Sequence, residues 1–331
     1  MIIIIIIIKE KFKYINVSDL SVMVYGQEGG GGLQEGKDIR GIKAFINFLK
    51  IGAEPINVAY PLPLASFLAF SLSKSGLLEF LLSYLFCFFF FTAVNLWNHL
   101  NDAEDDAKDG RRGANFLIER KREAAFFVIS FYFFSALMLL FSRDAVSLPL
   151  FAICATLTWL YSDKMFFGKR FRRFKEDYRS EVLTYLIVTP SFPALLWTFF
   201  APICTTALVF SSIFAMLYLS GVLLKDLKDI TADSLAGYRT LGVVFSERKL
   251  FKLSASILLS AISLIPIFSL LGYLPFRASL AAFLLIPASY SVLSIKRRNW
   301  ELSMEVINAL RLYTLSYPAA FVLLALLSFE V

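Results

Sequence analysis

Charged residues are scarce in this chain of 331 residues and make up 18% of it, whereas soluble domains usually carry about 25%. Apolar residues reach 58%, and Phe alone occurs 35 times; soluble proteins are nearer to about 45–50% apolar. Apolar stretches of about 20 residues recur along the chain, and a helix of that length crosses the hydrocarbon core of a bilayer. This composition excludes an ordinary water-soluble enzyme and predicts a polytopic membrane protein.

Cysteine and histidine are also rare, with three residues and one residue respectively. Cys87, Cys154 and Cys204 all lie in apolar stretches, so the sequence predicts neither a disulfide framework nor a thiolate metal site. We interpret His99 as a residue at the membrane interface. The sequence has no segments of alternating polarity. Because backbone groups in lipid must be satisfied internally, helices rather than a β-barrel follow.

The apolar stretches predict an all-α fold with nine transmembrane helices in one bundle. Several stretches contain proline, which a bundle tolerates because neighbouring helices satisfy the freed backbone groups. The predicted segments are residues 56–74, 77–99, 123–142, 146–162, 182–201, 207–224, 250–271, 277–295 and 303–329.

The positive charges are strongly asymmetric between the two sides of this predicted bundle. Alternate loops with the span ends that border them, together with the N-terminal segment, hold 29 of the 33 Lys and Arg residues, and the loops and span ends of the opposite side hold three. The positive-inside rule therefore predicts that the N-terminus and the richer loops are cytoplasmic, in a plasma membrane or its equivalent. The net charge of +7 comes from these loops. Because the positive-inside bias accounts for it, we expect no nucleic-acid partner. The richer loops are residues 100–122, 163–181, 225–249 and 296–302.

The N-terminal part divides into two predicted segments. Residues 1–37 read as a flexible segment, and their seven isoleucines at residues 2–8 are too short a run to span a bilayer. Residues 38–51 have apolar side chains at helical spacing with interleaved Lys and Arg. They predict an amphipathic helix on the inner leaflet. The remaining domain, residues 38–331, then contains this helix and the nine spans.

Two of the predicted cytoplasmic loops carry the pattern DxxDxxxD. If the helix continues through each motif, the second and third acids lie one turn apart on one face. Four predicted spans separate the motifs, and because this is an even number both motifs emerge on the same side of the membrane. The first motif comprises Asp102, Asp105 and Asp109, and the second comprises Asp226, Asp229 and Asp233.

Clustered carboxylates beside a bilayer are suited to a hard divalent cation. Mg²⁺ held by a few carboxylates usually completes its shell with water and phosphate oxygens of a substrate. The pattern therefore predicts a phosphate or diphosphate ligand whose organic part lies among the helices. A membrane diphosphate with a long apolar tail is a prenyl diphosphate.

With Asn101 before the first motif, and Gly237 and Thr240 after the second, the two patterns become NDxxDxxxD and DxxDxxxDxxxGxxT. Together with the nine-span layout, they resemble the UbiA superfamily of intramembrane prenyltransferases over about residues 40–330. The resemblance implies nine helices around a central cavity that opens laterally to lipid. It also implies a prenyl diphosphate donor, a lipophilic acceptor and two Mg²⁺ ions held by the motifs.

The resemblance also implies roles for individual residues. Family members have a Tyr and a Lys on the loop after the fourth span; Tyr161 fits the first, and the second is either Lys164 or Lys169. Nearby cations would stabilise the charge that develops on the leaving diphosphate. The expected catalytic residues are Asp105, Asp109, Asp229, Asp233, Tyr161, Lys164 and Lys169. The expected metal ligands are the six motif aspartates, and among these Asp102 and Asp226 are expected in supporting roles. The expected substrate-binding residues are Asn98, Asn101, Arg111, Arg170 and Lys225.

The expected reaction is Mg²⁺-dependent transfer of a polyprenyl group to an acceptor in the membrane. The expected acceptor is an aromatic ring, as in quinone biosynthesis, with a glyceryl phosphate lipid as the second choice, and a tetrapyrrole is also compatible with the motifs. Asp109 is followed by Gly-Arg-Arg-Gly-Ala-Asn instead of the family's stretch ending in Arg-Pro-Leu, so no acceptor subfamily can be assigned.

Two alternatives compete with this interpretation. A CDP-alcohol phosphotransferase would need DGxxAR, and the sequence from Asp109 lacks the Ala-Arg pair. A cation-coupled transporter usually holds its charges near the bilayer midplane, whereas these acids lie at helix ends.

Overall fold

The computed structural model describes residues 41–54, 62–108, 110–111, 113–228, 230–301 and 304–329. The predicted N-terminal segment 1–37 and the motif residues Asp109 and Asp229 lie outside the described residues. The side chains of Asp226 and Lys169 lie outside them as well.

Over the described part of the chain the fold is all-helical, with one isolated bridge between Asp177 and Arg239. Helices overlap every one of the nine predicted segments. The α-helices are α1 (Ile42–Gly52), α2 (Leu62–Ser73), α3 (Leu77–Lys108), α4 (Ala114–Glu119), α5 (Lys121–Met138), α6 (Ser147–Ser162), α7 (Tyr178–Trp197), α8 (Thr205–Val222), α9 (Ile230–Leu235), α10 (Leu241–Val244), α11 (Glu247–Leu270), α12 (Leu285–Arg297) and α13 (Ile307–Ser328). Short 3-10 turns extend α5 to Phe141 and precede α12 from Phe276.

In the part of the chain that the structure describes, six helices are long and apolar enough to cross a membrane, and the protein is an integral membrane protein. Helices α2 and α6 are apolar but have only 12 and 16 residues. Helix α7 has 20 residues and carries two prolines. The number of nine crossings therefore stays a prediction. The six helices are Leu77–Lys108, Lys121–Phe141, Thr205–Val222, Glu247–Leu270, Phe276–Arg297 and Ile307–Ser328.

The two acidic motifs differ in backbone structure. Helix α3 continues through the first motif as far as Lys108, so Asp102 and Asp105 lie on one face. Helix α8 ends at Val222, and a 3-10 turn, Lys225–Lys228, follows before α9. The chain therefore does not form one continuous helix through the second motif, although the shared spacing allowed it.

Helix α1 packs its small and aromatic side chains against α3 and α5. The Phe48 ring lies 5.0 Å from the rings of both Phe116 and Phe127, whereas Ile42 is 78% exposed. A Cβ atom added to Gly52 would lie only 2.8 Å from the carbonyl oxygen of Thr92 on α3. This close approach allows the amphipathic helix to dock on the bundle.

Replacing Gly52 with alanine should weaken this contact. Alanine normally stabilises a helix by up to about 1 kcal/mol relative to glycine, but here the added methyl group meets backbone, and overpacking costs about 1–3 kcal/mol. Thermal unfolding of the purified protein measures the change. Gly221→Ala is the matched control, because its nearest neighbour is the Tyr317 ring at 3.8 Å. A more stable Gly52→Ala variant would contradict the docking contact.

Candidate active site

A pair of stacked tryptophans joins α3 to α6 just before the first motif. The Trp97 and Trp159 rings lie 3.9 Å apart, and the Trp97 indole N–H donates to the carbonyl oxygen of Trp159 at 3.1 Å. One turn later, the Asn101 amide donates to the carbonyl oxygen of Trp97 and accepts from the backbone N–H of Lys164 at 2.7 Å. Asn101 therefore holds the start of the loop after α6 against the first motif.

We call residues 163–177 the basic loop, since six of its residues are Lys or Arg. Its first turn is organised by Asp163, whose buried carboxylate accepts from the backbone N–H groups of residues 165, 166 and 167. Lys164 then extends its ammonium to Asp105 at 3.0 Å, and Lys108 contacts the other oxygen of Asp105 at 3.1 Å. Of the two lysines expected after the fourth span, Lys164 therefore contacts the first motif.

Asp102 binds two cations of the basic loop. Its two oxygens accept from the Arg173 guanidinium and the Lys175 ammonium, each at 2.5 Å. Burial opposes the charge of Arg173, but Asp102 and Glu176 outweigh it and raise the pKa of this guanidinium. Burial lowers the pKa of Lys175, and the attraction of Asp102 only partly offsets it. Both oxygens of Asp102, an expected supporting metal ligand, are thus occupied by side chains.

The basic loop also contacts the chain that follows the second motif. Arg173 donates to the Tyr238 hydroxyl at 3.2 Å, and the backbones of Glu176 and Arg239 are hydrogen bonded at 2.8 Å. Thr240, at the end of this segment, donates to the Asp233 carboxylate at 2.8 Å. Through these contacts one loop connects the segments that carry both motifs.

A cavity of about 230 Å³ lies inside the bundle. One part of its wall is polar and includes Asn98, which lies one turn before Asp102 and accepts from Lys175 at 2.9 Å. The polar end of the cavity therefore adjoins the first motif. The polar lining residues are Asn95, Asn98, Thr158, Tyr161, Ser162, Thr184, Tyr185, Thr189 and Tyr218, and the apolar ones are Leu62, Phe91, Val94, Val188, Phe192 and Phe214.

Two further predicted residues, Tyr161, which lines this cavity, and Lys225, meet at the carboxylate of Glu181. The Tyr161 hydroxyl donates to Glu181 at 3.1 Å, and the Lys225 ammonium pairs with the same carboxylate oxygen at 2.6 Å. Lys225 directly precedes Asp226 of the second motif, so this contact brings the end of α8 to the loop after α6.

Two predicted substrate-binding residues lie apart from this arrangement. Arg111 pairs with Asp106 at 3.1 Å, and Arg170 is exposed on the basic loop. His99, read as interfacial, contacts Glu54 at 2.8 Å. In the described set no three acidic, histidine or cysteine side chains form a metal-sized group. Three of the six predicted ligands, Asp109, Asp229 and the Asp226 side chain, lie outside that set.

Three residues of this site were missed by the sequence analysis. Arg173 and Lys175 are two of many cytoplasmic cations, and the positive-inside bias accounts for such residues without a specific role. Glu181 was counted as part of a loop. A signal was nevertheless present, because Glu181 directly precedes the predicted apolar segment 182–201, and an acidic residue at the end of a membrane helix is costly to bury and needs a partner.

An all-helical membrane bundle with an internal cavity and an acidic motif next to its polar wall is typical of an intramembrane enzyme. The family profile of the "UbiA prenyltransferase family" matches residues 59–315. The chain therefore belongs to the UbiA prenyltransferase family and is a membrane prenyltransferase. A protein of Archaeoglobus fulgidus described as uncharacterized is 46% identical over 271 residues, which cover 81% of this chain and 94% of that protein.

Solved structures share this fold at low sequence identity. A digeranylgeranylglyceryl phosphate synthase aligns with a TM-score of 0.67 and 14% identity over 87% of this chain and 99% of that one. A UbiA homolog from Archaeoglobus fulgidus bound to DMAPP and Mg²⁺ aligns with a TM-score of 0.58 and 17% identity, over 84% and 99%. The same homolog bound to GPP and Mg²⁺ gives 0.57 and 16% over the same shares.

Removing the Asp102 carboxylate should destabilise the protein. In Asp102→Ala, Arg173 keeps Glu176 but Lys175 loses its carboxylate partner, and breaking a buried ion pair costs about 3 kcal/mol. Thermal unfolding without added metal measures this loss. Glu104→Ala is the control, because its pair with Lys121 is exposed and exposed ion pairs contribute little to stability. Equal melting temperatures for the two variants would contradict the anchoring role of Asp102.

Proposed function

We propose that this protein transfers a polyprenyl group from a prenyl diphosphate to a lipophilic acceptor, with Mg²⁺ as cofactor. The observation that carries the proposal is the cavity whose polar end adjoins the first motif, while the basic loop connects both motif segments. The similar UbiA homolog was solved with Mg²⁺ and with DMAPP or GPP, which are prenyl diphosphates. A donor with an apolar tail and a diphosphate head suits a cavity that has one apolar and one polar part.

The donor atoms of the two motifs suit Mg²⁺, which prefers carboxylate oxygens and retains several other ligands. Asp105 and Asp233 are each partly exposed, and the partners of Asp105 are two flexible lysine side chains, Lys108 and Lys164, which can yield its oxygens to an ion. We assign the ligand role to Asp105, Asp109, Asp229 and Asp233, with Asp226 in support. Asp102 is assigned a different role, as anchor of the basic loop. When bound, the ion supplies Lewis-acid stabilisation of the leaving diphosphate.

The chain's own cations complete the diphosphate site in this proposal. The Lys164 ammonium is hydrogen bonded to Asp105 and can move to a phosphate oxygen of the donor. The charge-assisted hydrogen bond between an ammonium and a phosphate is strong. Asn98 and Tyr161 line the polar end of the cavity, beside the position of the allylic carbon. Phe91, Phe192 and Phe214 surround the prenyl tail and keep water from the reacting carbon. Arg111 and Arg170 are assigned to the entrance, and Lys169 is left as an alternative to Lys164.

We propose that nine helices cross the membrane around this cavity, with the N-terminus and both motifs in the cytoplasm. The distribution of 29 against three basic residues supports this orientation. Helices α2 and α6 are short for a core of about 30 Å, and local thinning of the bilayer accommodates such helices at modest cost. Residues 38–331 then form the enzyme domain, and residues 1–37 precede it.

We propose a glyceryl phosphate lipid as the acceptor, ahead of an aromatic ring. The exposed arginines of the basic loop, Arg170 and Arg172, lie on the same loop as the diphosphate residues and suit a second phosphate group. The similarity to a digeranylgeranylglyceryl phosphate synthase supports the same choice.

Incubation of the reconstituted protein with radiolabelled geranylgeranyl diphosphate and Mg²⁺ tests this function. We expect label to pass to geranylgeranylglyceryl phosphate and not to 4-hydroxybenzoate or 1,4-dihydroxy-2-naphthoate. EDTA should stop transfer and added Mg²⁺ should restore it, because the diphosphate binds through the ion. Transfer to an aromatic compound alone would replace the proposed acceptor, and transfer to none would contradict the proposed function.

Replacing a proposed ligand should abolish turnover without unfolding the bundle. We expect Asp105→Ala and Asp233→Ala to lower kcat at least about 100-fold, since both contribute to charge stabilisation in the transition state. Glu104→Ala removes the neighbouring acid, which lies outside the motif spacing, and should leave kcat unchanged. Wild-type turnover in either aspartate variant would remove that residue from the metal site.

A further inference from the structure

Glu181 is fully buried in the first turn of α7, with a side-chain exposure of 0%. An ionisable side chain inside a membrane bundle is costly and usually serves a function there. The Glu181 carboxylate is also far from either motif in sequence, so the DxxDxxxD pattern does not account for it.

The carboxylate of Glu181 connects three separate parts of the bundle. Its Oε1 atom accepts from the Tyr161 hydroxyl at the end of α6 at 3.1 Å. The same atom pairs with the Lys225 ammonium, just beyond α8, at 2.6 Å. The Tyr161 hydroxyl is also hydrogen bonded to the Tyr185 hydroxyl at 2.9 Å.

The two tyrosine rings confine the same ammonium. The Lys225 nitrogen lies 5.9 Å from the ring centre of Tyr161 and 5.7 Å from that of Tyr185, within the range of cation–π attraction. A lysine side chain is long and flexible, and a carboxylate with two aromatic faces restricts it to one region. Both tyrosines line the cavity, whereas among the described lining residues none is charged. Lys225 is therefore a cation placed directly behind the polar wall.

A purely stabilising role does not explain this pair well. Replacing a buried ion pair by apolar residues of similar size is often neutral or stabilising, because the desolvation cost of the charges is large. If only packing were needed at this place, Leu in place of Glu181 and Met in place of Lys225 would fill the same space without charge. The Glu181–Lys225 pair lies instead behind Tyr161 and Tyr185, which line the cavity, and Lys225 directly precedes Asp226 of the second motif.

We propose that Glu181 is a positioning residue that holds Lys225 toward the leaving diphosphate of the donor. This inference rests on the proposed function. When the allylic C–O bond breaks, the electron pair stays on the diphosphate oxygen, and the oriented ammonium stabilises that charge. The acceptor forms the new bond to the allylic carbon, and its proton passes to the released diphosphate. Glu181 neither gains nor loses a proton.

Glu181→Gln separates orientation from simple binding, because the amide keeps the size of the side chain and removes its charge. Lys225 remains a cation in this variant but is no longer fixed, so interactions made in the transition state are lost first. We expect kcat to fall by about 10- to 100-fold while KM for geranylgeranyl diphosphate changes by less than about threefold. Glu181→Asp, which keeps the charge, should recover part of kcat.

Glu79→Gln is the matched control. Glu79 pairs with Arg143 at the opposite end of α3 from the first motif, so the same chemical change there should leave kcat and KM as in the wild type. Wild-type kcat in a folded Glu181→Gln variant would overturn the positioning role while leaving the proposed function intact. An inactive wild type and an inactive Glu79→Gln variant would overturn both.

The double variant Glu181→Leu/Lys225→Met separates stability from catalysis. Removing both charges together avoids an unpaired buried ion, so thermal stability should return toward that of the wild type. We expect kcat to remain at least about 10-fold low, because the oriented ammonium is absent. Recovery of wild-type kcat together with stability would overturn the proposal. If this double variant does not fold, the kcat of Glu181→Gln against Glu181→Asp decides the question.

Discussion

The contact of Asp102 with Arg173 and Lys175 is the interaction on which the arrangement of the site depends. A strongly acidic helix end beside a bilayer needs compensating charge, and here the compensation comes from a loop that also contacts the chain after the second motif. The same loop supplies Lys164 to Asp105. One buried ionic cluster therefore sets the positions of both acidic segments relative to the cavity, which no single helix could do.

The two motifs share a spacing but not a backbone conformation, and this difference has a physical cause. Helix α3 continues beyond the apolar part of the chain because α1 and α5 pack along it, Trp97 donates to the carbonyl oxygen of Trp159 on α6, and Asn101 accepts from the backbone N–H of Lys164. After α8 the chain breaks into short turns, and Lys225 is drawn to Glu181 at the break. The first motif thus lies on a continuous helix as far as Lys108, whereas the chain that leads into the second motif forms a 3-10 turn.

Much of the fold follows from hydropathy, and the errors lie at helix ends. Helix α7 begins at Tyr178, four residues before the predicted segment, because Asp177 accepts a hydrogen bond from the backbone N–H of Arg179 and caps the helix. This early start brings Glu181 into the first turn. Glu181 was assigned to a loop because apolar character alone marks where a helix enters lipid, while capping decides where it begins.

The amino-acid sequence by itself determined the class of protein, the order of the apolar helices, the spacing of the six aspartates and the asymmetry of charge. These are local or additive properties, since each depends on residues within a few positions or on a sum over loops. Only the tertiary structure decided which cation meets which acid. Arg173 and Lys175 lie about 70 positions from Asp102, and Lys225 lies 44 positions from Glu181. Such pairings depend on how helices pack, because many basic side chains of similar character compete for a few buried carboxylates.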